Sequence, residues 1–153
     1  MNQLLTEMDG MDRRGAVFIV AATNRVDIMD PALLRPGRLD KLLYVPLPTA
    51  PDRQAILRTL TRNCPLAEGV DVGLIAGSAK CEGFSGADLA ALVREACMAA
   101  LWERQGGGEG RDPPTVRGDH FEAALLCVQP SVSEEEVRRH EAIQRNVRGT
   151  RRQ

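Results

Sequence analysis

The chain has 153 residues, of which 43% are apolar and 27% are charged, an ordinary composition for a globular protein of about one domain. Its 20 basic and 21 acidic side chains give a net charge of −1, so no overall basic excess favours binding to nucleic acid or to an anionic membrane. Eighteen of the basic residues are arginines, and six of these lie between Arg138 and Arg152. This basic tail is therefore the one place where affinity for a polyanion is expected.

Membrane, metal and disulfide proteins are disfavoured as well. No apolar run approaches the roughly 18 residues that a membrane-spanning helix needs, so no membrane partner is expected. The histidines number two and the cysteines four, with no Cys-x-x-Cys pair: Cys64, Cys81, Cys97 and Cys127. We therefore expect no metal site, and buried, reduced thiols in a soluble intracellular protein.

The first 48 residues mix helix and strand patterns. An apolar stripe over residues 1–8 predicts a helix with one buried face. Unbroken apolar runs over residues 16–22 and 42–47 predict two strands of a parallel sheet that is covered on both faces. Between the strands, Asp30-Pro31 predicts the start of a short helix that Pro36-Gly37 ends.

From residue 49 onward only helices are predicted, so we place a boundary near residues 48–51. Helices are expected over residues 51–62, after Asp71, after Ser85, near Asp119 and after Ser133. Two of them carry capping boxes, formed by Ser85 with Asp88 and by Ser133 with Glu136. A glycine- and proline-rich stretch at about residues 105–115 predicts a mobile linker. The last helix has a thin apolar stripe and is expected to need a partner surface.

The first predicted strand is followed by the polar residues Thr23, Asn24 and Arg25, at the end where open α/β sheets bind ligands. Asn24 can orient a water molecule or a phosphate oxygen, although an asparagine that merely shapes a turn fits the position equally well. Arg35 and Arg38 flank Pro36-Gly37, and a rigid turn with two permanently charged guanidinium groups suits phosphate binding. Salt bridges from these arginines to Asp30 or Asp40 are the structural alternative.

Several longer segments occur in a characteristic order. They are residues 2–10 (NQLLTEMDG), 21–25 (AATNR) and 30–40 (DPALLRPGRLD). Together they resemble the second region of homology of the AAA ATPases. Residues 44–48 (YVPLP) and 83–89 (GFSGADL) are similar to the second ATPase domain of the valosin-containing protein branch.

Four further segments look closest to the nuclear, valosin-containing-protein-like members of that branch: residues 80–81, 92–96, 120–122 and 131–133. The resemblance implies an α/β fragment, the last two strands of a parallel AAA core sheet, followed by an all-α helical lid bundle and a C-terminal helix. The core part would span residues 1–48, the lid 49–130, and the C-terminal helix with its basic tail 131–153.

The resemblance also implies catalytic roles. Asn24 would be the sensor that positions the attacking water by the γ-phosphate. Arg35 and Arg38 would be arginine fingers that stabilise transition-state charge on the nucleotide of a neighbouring subunit. A homohexameric ring would then be required for hydrolysis.

Four lid residues match nucleotide-binding positions of the family. Gly86 and Ala87 would approach the ribose and adenine, where a large side chain would prevent close contact. Ile56 and Leu60 would form the wall of the adenine pocket, and Leu60 would make no hydrogen bond to the base. For Ile56 and Leu60, a place in the plain core of a helical lid is the equal alternative.

ATP and Mg²⁺ are the implied cofactors, but they would bind chiefly through motifs that this sequence lacks. It has no Gly-x-x-x-x-Gly-Lys-Ser/Thr loop and no apolar strand ending in Asp-Glu. The chain is therefore expected to be the C-terminal fragment of an ATPase, inactive on its own, and to contain no metal ligands.

The implied function is coupling of ATP hydrolysis to the remodelling or unfolding of protein or ribonucleoprotein complexes. For a nuclear member this implies pre-ribosomal substrates and a nucleolar location, with a cytoplasmic location as the alternative. A second hypothesis is a truncated, non-catalytic module that joins or inhibits rings of full-length subunits. The basic tail is expected to be helix surface with a frayed end, and weak RNA contact is the alternative.

Overall fold

The computed structural model describes Thr6, Met8 and residues 18–107 and 114–150. The chain forms two compact units, Met1–Val45 and Pro46–Gln153. Thr6 and Met8 are helical and Met8 is buried, in agreement with the helix predicted over residues 1–8, whose other residues lie outside the described part.

The first unit contains two short 3₁₀ turns, Val26–Ile28 and Pro31–Leu34. The predicted helix start at Asp30 is confirmed, since its carboxylate accepts a hydrogen bond from the Ala32 N–H at 2.9 Å and proline occupies the first position of the turn. Leu33 is the buried side chain of this turn. Only one turn of helix forms because Pro36 and Gly37 follow at once.

The two predicted strands do not form. Residues 18–22 and 42–47 are neither helical nor paired as strands, and residues 16–17 lie outside the described part. Several of their large side chains are almost fully exposed, with Phe18 at 88%, Val20 at 92%, Leu43 at 88% and Val45 at 85%. A parallel strand is held by hydrogen bonds to its neighbours and by helices that cover its faces. The described residues supply neither, so these apolar segments stay unpaired.

The second unit is a helical bundle. Its five helices in the described part are α1 (Ala50–Leu60), α2 (Val72–Gly77), α3 (Gly86–Gly107), α4 (Gly118–Cys127) and α5 (Glu134–Thr150). Helix α3 packs against α4 and α1, and α1 packs against α2. The fully buried side chains of the core include Leu57, Phe84, Leu89, Leu92 and Phe121. An isolated β-bridge between Leu66 and Val116 joins the segment after α1 to the segment before α4.

All five helices were predicted, with corrections at their ends. Helix α1 ends at Leu60 rather than at residue 62. Helix α3 continues through Gly107, so the first three residues of the predicted linker are helical, and residues 108–113 lie outside the described part. Each glycine costs a helix about 1 kcal/mol, but extending a helix that is already formed requires no new nucleation.

Both predicted capping boxes are present. The Ser133 hydroxyl and N–H donate to the Glu136 carboxylate at 2.9 and 3.0 Å. The Ser85 hydroxyl and N–H both donate to Oδ2 of Asp88 at 2.8 Å. These caps define where α5 and α3 begin, because they satisfy N–H groups that have no partner inside the helix.

No helix in the described ranges is long and apolar enough to cross a membrane. The four cysteines are free thiols, of which only Cys81 is buried. Cys64 and Cys97 are half-buried, and Cys127 is exposed on α4. The expectation of uniformly buried thiols was therefore wrong, since Cys127 is the exposed last residue of α4.

Candidate functional site

The turn between Arg35 and Arg38 is the best-defined feature of the first unit. The Arg38 N–H donates to the Arg35 carbonyl at 3.2 Å, with Pro36 and Gly37 at the two central positions. Gly37 has a φ of +85°, which residues with a side chain rarely adopt. Proline followed by a residue with positive φ is the pattern of a type II turn. The predicted rigid turn is therefore present, and glycine is required for it.

The two guanidinium groups on this turn have different surroundings. Nη1 of Arg38 donates a 2.7 Å hydrogen bond to the Ala32 carbonyl, and Arg38 is half-buried. Arg35 is exposed and makes no side-chain hydrogen bond or ion pair with a described residue. The turn thus holds Arg38 against the preceding 3₁₀ turn and presents Arg35 to solvent.

Asn24 lies in an exposed bend, eleven residues before Arg35 along the chain. The bend is formed by its neighbours: Thr23 Oγ1 accepts the Arg25 N–H at 3.0 Å, and Arg25 pairs with Asp27 through hydrogen bonds of 2.9 and 2.8 Å. The Asn24 side chain has no hydrogen-bond partner among the described residues. The hydrogen bond that shapes this bend comes from Thr23, and both interpretations of Asn24 stay predictions.

Gly86 and Ala87 are the first two residues of α3, and both are exposed. A Cβ atom added at Gly86 would meet no atom within 4 Å, and its φ is not in the positive range. Neither packing nor backbone conformation within this chain therefore requires glycine at position 86.

Ile56 and Leu60 lie one turn apart on α1. With Ala55 and Thr59 they line a shallow, almost wholly apolar depression of about 290 Å³. Both side chains are half-buried because their inner parts pack against the lid core. The two interpretations of these residues are therefore compatible, since each side chain serves the core and leaves an apolar surface outside.

The sequence-predicted residues fall into two groups in separate units. Asn24 and the Arg35–Arg38 turn belong to Met1–Val45, whereas the α1 depression and the start of α3 belong to Pro46–Gln153. The turn brings Arg35 and Arg38 together, and the depression brings Ile56 and Leu60 together.

Arg53 is a buried residue that sequence reasoning missed. Its Nε donates to the carbonyl of Ala76 at 3.0 Å, and its Nη1 approaches the carbonyl of Pro48 at 3.4 Å. The guanidinium group therefore caps the C-terminal end of α2, where a positive charge is favourable. An arginine in the first turn of α1 gave no indication of this role, because its acceptor lies 23 residues away.

A second missed cluster joins α3 to α4. Nε2 of the buried His120 lies 2.8 Å from Oε2 of Glu103, and Nδ1 accepts the Arg117 N–H at 3.1 Å. Arg117 also pairs with Glu103 at 3.0 Å and with Asp119 at 2.8 Å. Hydrogen bonds from Arg117, and then from His120, lower the pKa of Glu103. Because every member is paired within the cluster, we assign it to the structure of the lid.

Within each unit, the described residues offer only some of the groups that a nucleotide needs. In the described ranges, no group of three or more His, Cys, Asp or Glu side chains is gathered to hold a metal ion. Arg35 offers unpaired donors for phosphate oxygens, and the α1 depression and the start of α3 offer apolar surface and space for a base and sugar.

Comparisons with known proteins decide the family. The model of the ATPase family associated with various cellular activities (AAA) matches residues 1–47, and the model of the AAA+ lid domain matches residues 69–123. The chain belongs to the AAA family. The predicted fold class, a short AAA core fragment followed by a helical lid, is thereby confirmed, although the core segments are not paired as strands here.

Three AAA relatives match almost the whole chain. "Nuclear valosin-containing protein-like" of Mus musculus is 51% identical over 96% of this chain. "Putative ribosome biogenesis ATPase nvl" of Dictyostelium discoideum is 44% identical over 99%, and "Cell division control protein 48 homolog C" of Arabidopsis thaliana is 45% identical over 94%. The chain spans 18%, 17% and 18% of the lengths of these relatives. These matches place the AAA sequence in the valosin-containing protein branch.

Proposed function

We propose that these residues form the C-terminal part of a hexameric AAA ATPase, which couples ATP hydrolysis to the remodelling or unfolding of protein or ribonucleoprotein complexes. The observation that carries the proposal is the Arg35–Arg38 turn. It combines a glycine at φ +85° with an exposed arginine that has no partner among the described residues. An arginine without an internal partner is available to a phosphate on another molecule.

In this proposal Arg35 is the principal finger. Its planar guanidinium group donates hydrogen bonds to the phosphoryl oxygens of a nucleotide in the adjacent subunit, where negative charge develops during transfer. Arg38 is the second finger. Its Nη1 donates to the Ala32 carbonyl, which restricts the side chain and so fixes the position of the guanidinium group.

Asn24 holds the attacking water. Its carboxamide is short, uncharged and without a partner in the described part of the chain, so its oxygen can accept a hydrogen bond from water without changing protonation state. Arg25 donates hydrogen bonds to Thr23 and to Asp27, and these bonds fix the bend and therefore the position of the Asn24 side chain.

The lid holds the base and sugar. Ile56 and Leu60 offer an apolar wall to the adenine ring, and open space above Gly86 lets the ribose approach the backbone of α3. When bound, ATP would supply the phosphoryl group, and Mg²⁺ would neutralise part of the phosphate charge. The phosphate loop and acidic motif that would hold both groups are not among the 153 residues, so this chain alone is proposed to be inactive.

The test uses a chimera in which the matching segment of the mouse relative is replaced by this chain. Arg35→Ala should lower the turnover number of the purified ring at least 100-fold and leave ATP affinity within about threefold, because fingers act mainly in the transition state. Arg58→Ala, at an exposed arginine of α1, is the matched control and should leave turnover unchanged. Equal activity of the Arg35 variant and the control would refute the finger role.

The second candidate function is a short interaction module that joins or inhibits rings of full-length subunits. The exposed apolar segments at Phe18–Val20 and Leu43–Val45 favour it, since unpaired apolar backbone is suited to pairing with another sheet. Adding the 153-residue chain to full-length subunits should then change their sedimentation and their ATPase rate. Independent sedimentation with an unchanged rate would exclude this function.

A nuclear location and pre-ribosomal substrates are proposed from the names of two relatives, which mention the nucleus and ribosome biogenesis. The cytoplasm is the alternative location. The arginines between residues 138 and 152 would allow weak RNA contact, which should fall steeply with salt concentration. Fluorescence microscopy of a tagged chimera would test the location, and exclusion from the nucleus would contradict it.

A further inference from the structure

Two of the four thiols contact each other inside the lid. Cys64 lies in the turn that follows α1, and Cys97 lies in the middle of α3. The Cys97 thiol donates to the Cys64 sulfur across 3.8 Å, although the two residues are 33 positions apart in sequence. The Cys64 thiol in turn donates to the carbonyl of Leu60 at 3.8 Å.

The other two cysteines have different surroundings. Cys81 is buried and its thiol donates to the carbonyl of Ile75 at 3.3 Å. Cys127 is exposed on α4. Cys64 and Cys97 are half-buried, and their sulfurs are already in contact. This pair is therefore the one poised for a reaction between two thiols.

We propose that Cys64 and Cys97 form a reversible disulfide when the protein meets a peroxide, and that this bond fixes the end of α1 to the middle of α3. A disulfide has a sulfur–sulfur distance of about 2.05 Å, so the sulfurs must approach by about 1.8 Å. Cys64 lies outside any helix, and rotation of its side chain with a small shift of the turn supplies this movement.

The reaction balances in two steps. The Cys64 thiol loses its proton, and the thiolate attacks one oxygen of hydrogen peroxide, which gives a sulfenic acid at Cys64 and releases one water. The Cys97 sulfur then attacks the sulfenic sulfur and expels hydroxide, which leaves as a second water with the Cys97 proton. Two thiols are thus oxidised to one disulfide, while peroxide is reduced to two waters.

The surroundings assign the order of the two cysteines. Burial, and then the hydrogen bond to Cys64, raise the pKa of Cys97 to about 11. Cys97 therefore keeps its proton near neutral pH and is the resolving residue. Cys64 accepts the hydrogen bond from Cys97 and lies in a turn rather than in a helix, so we assign the first reaction to Cys64.

Trypsin separates all four cysteines, which makes the product easy to identify. Cleavage after lysine and arginine places Cys64 in residues 63–80, Cys81 in 81–94, Cys97 in 95–104 and Cys127 in 118–138. After treatment of the full chain with hydrogen peroxide and blocking of free thiols, mass spectrometry should find residues 63–80 linked to 95–104. The link should disappear after reduction, and the oxidised chain should melt several degrees higher than the reduced chain.

Two variants complete the test. Cys97→Ser should leave a sulfenic acid at Cys64 that a dimedone probe captures, and Cys127→Ser should form the same link as the unaltered chain. A link between any other pair, or oxidation at Cys127 alone, would overturn the proposal. So would oxidation of Cys64 and Cys97 to sulfinic acids without a link. Mapping of the unaltered chain requires no variant, so the proposal remains testable if Cys97→Ser fails to fold.

Discussion

Asp88 and Ser131 are joined by two hydrogen bonds, one from the Ser131 N–H at 3.2 Å and one from its hydroxyl at 3.0 Å, both to Oδ2 of Asp88. The same oxygen accepts two further hydrogen bonds from Ser85. Asp88 is only 6% exposed. One buried carboxylate oxygen therefore caps α3 and also anchors the segment that leads from α4 into α5.

Removing this carboxylate should destabilise the lid. We expect Asp88→Ala to lower the free energy of unfolding by about 2–4 kcal/mol, because it removes a helix cap and leaves several donors without an acceptor. Urea denaturation followed by circular dichroism measures the change. Asp52→Ala, at an exposed capping box on α1, is the matched control and should cost only about 1 kcal/mol. Equal losses in both variants would contradict the role of Ser131.

The same carboxylate should make the stability of the lid depend on pH. Burial raises the pKa of Asp88. The hydrogen bonds from Ser85 and then from Ser131 together lower it by more than burial raises it, so the pKa lies below its ordinary value. The folded lid then binds fewer protons than the unfolded chain. Its stabilisation is complete above the unfolded pKa of about 3.9 and is lost as the pH falls through the lower, folded pKa.

Asp88→Asn should weaken this pH dependence, because an amide does not titrate over that range. Thermal melting between about pH 2 and pH 6 gives the profile. Glu136→Gln is the control. Hydrogen bonds from Ser133 lower the pKa of Glu136, but this residue is fully exposed, so its substitution should weaken the pH dependence less than Asp88→Asn does. If the Asp88→Asn variant retained the full acid dependence of the unaltered chain, other carboxylates would have to account for it.

Gly37→Ala should loosen the turn that holds Arg35 and Arg38. The added Cβ would meet no atom within 4 Å, so the penalty of about 1–2 kcal/mol arises from the φ of +85° alone. Amide hydrogen exchange at Arg38, whose N–H donates to the Arg35 carbonyl, should become about tenfold faster. Gly77→Ala, at a site without positive φ or close neighbours, should leave this exchange unchanged.

Arg53→Ala should cost about 2–3 kcal/mol of lid stability. It leaves the Ala76 carbonyl without its hydrogen-bond donor and removes the apolar stem of the arginine side chain. Arg58→Ala on the same helix replaces an exposed arginine and should change stability by less than about 0.5 kcal/mol. Chemical denaturation of the two variants side by side checks the difference. A loss at Arg58 as large as that at Arg53 would mean that helix propensity, not the buried contact, is responsible.

Local features of this fold could be predicted from the sequence, and distant ones could not. The capping boxes at Ser85 and Ser133 and the turn at Gly37 depend on residues within four positions of each other. The Asp88–Ser131 bonds, the Arg53–Ala76 bond and the Cys64–Cys97 contact join residues 43, 23 and 33 positions apart. The spacing of apolar residues along the sequence does not predict contacts between residues so far apart.

Strand prediction failed at Phe18–Val20 for the same reason. An apolar run indicates that a segment can be buried in a sheet, but its neighbours must be supplied by other segments. For the site, the sequence predicted the turn and its two arginines but not the Arg38–Ala32 bond that distinguishes them. The roles of Asn24, Arg35 and the lid residues remain predictions.

The central claim is that the sensor and the fingers act on nucleotides in different subunits. Chimeric subunits that carry Asn24→Ala and chimeric subunits that carry Arg35→Ala should each form rings without ATPase activity. Mixed in equal amounts before assembly, they should regain about a quarter of the unaltered rate, since a random neighbour restores an intact pair at one interface in four. A mixture that stays as inactive as its two components would contradict the account.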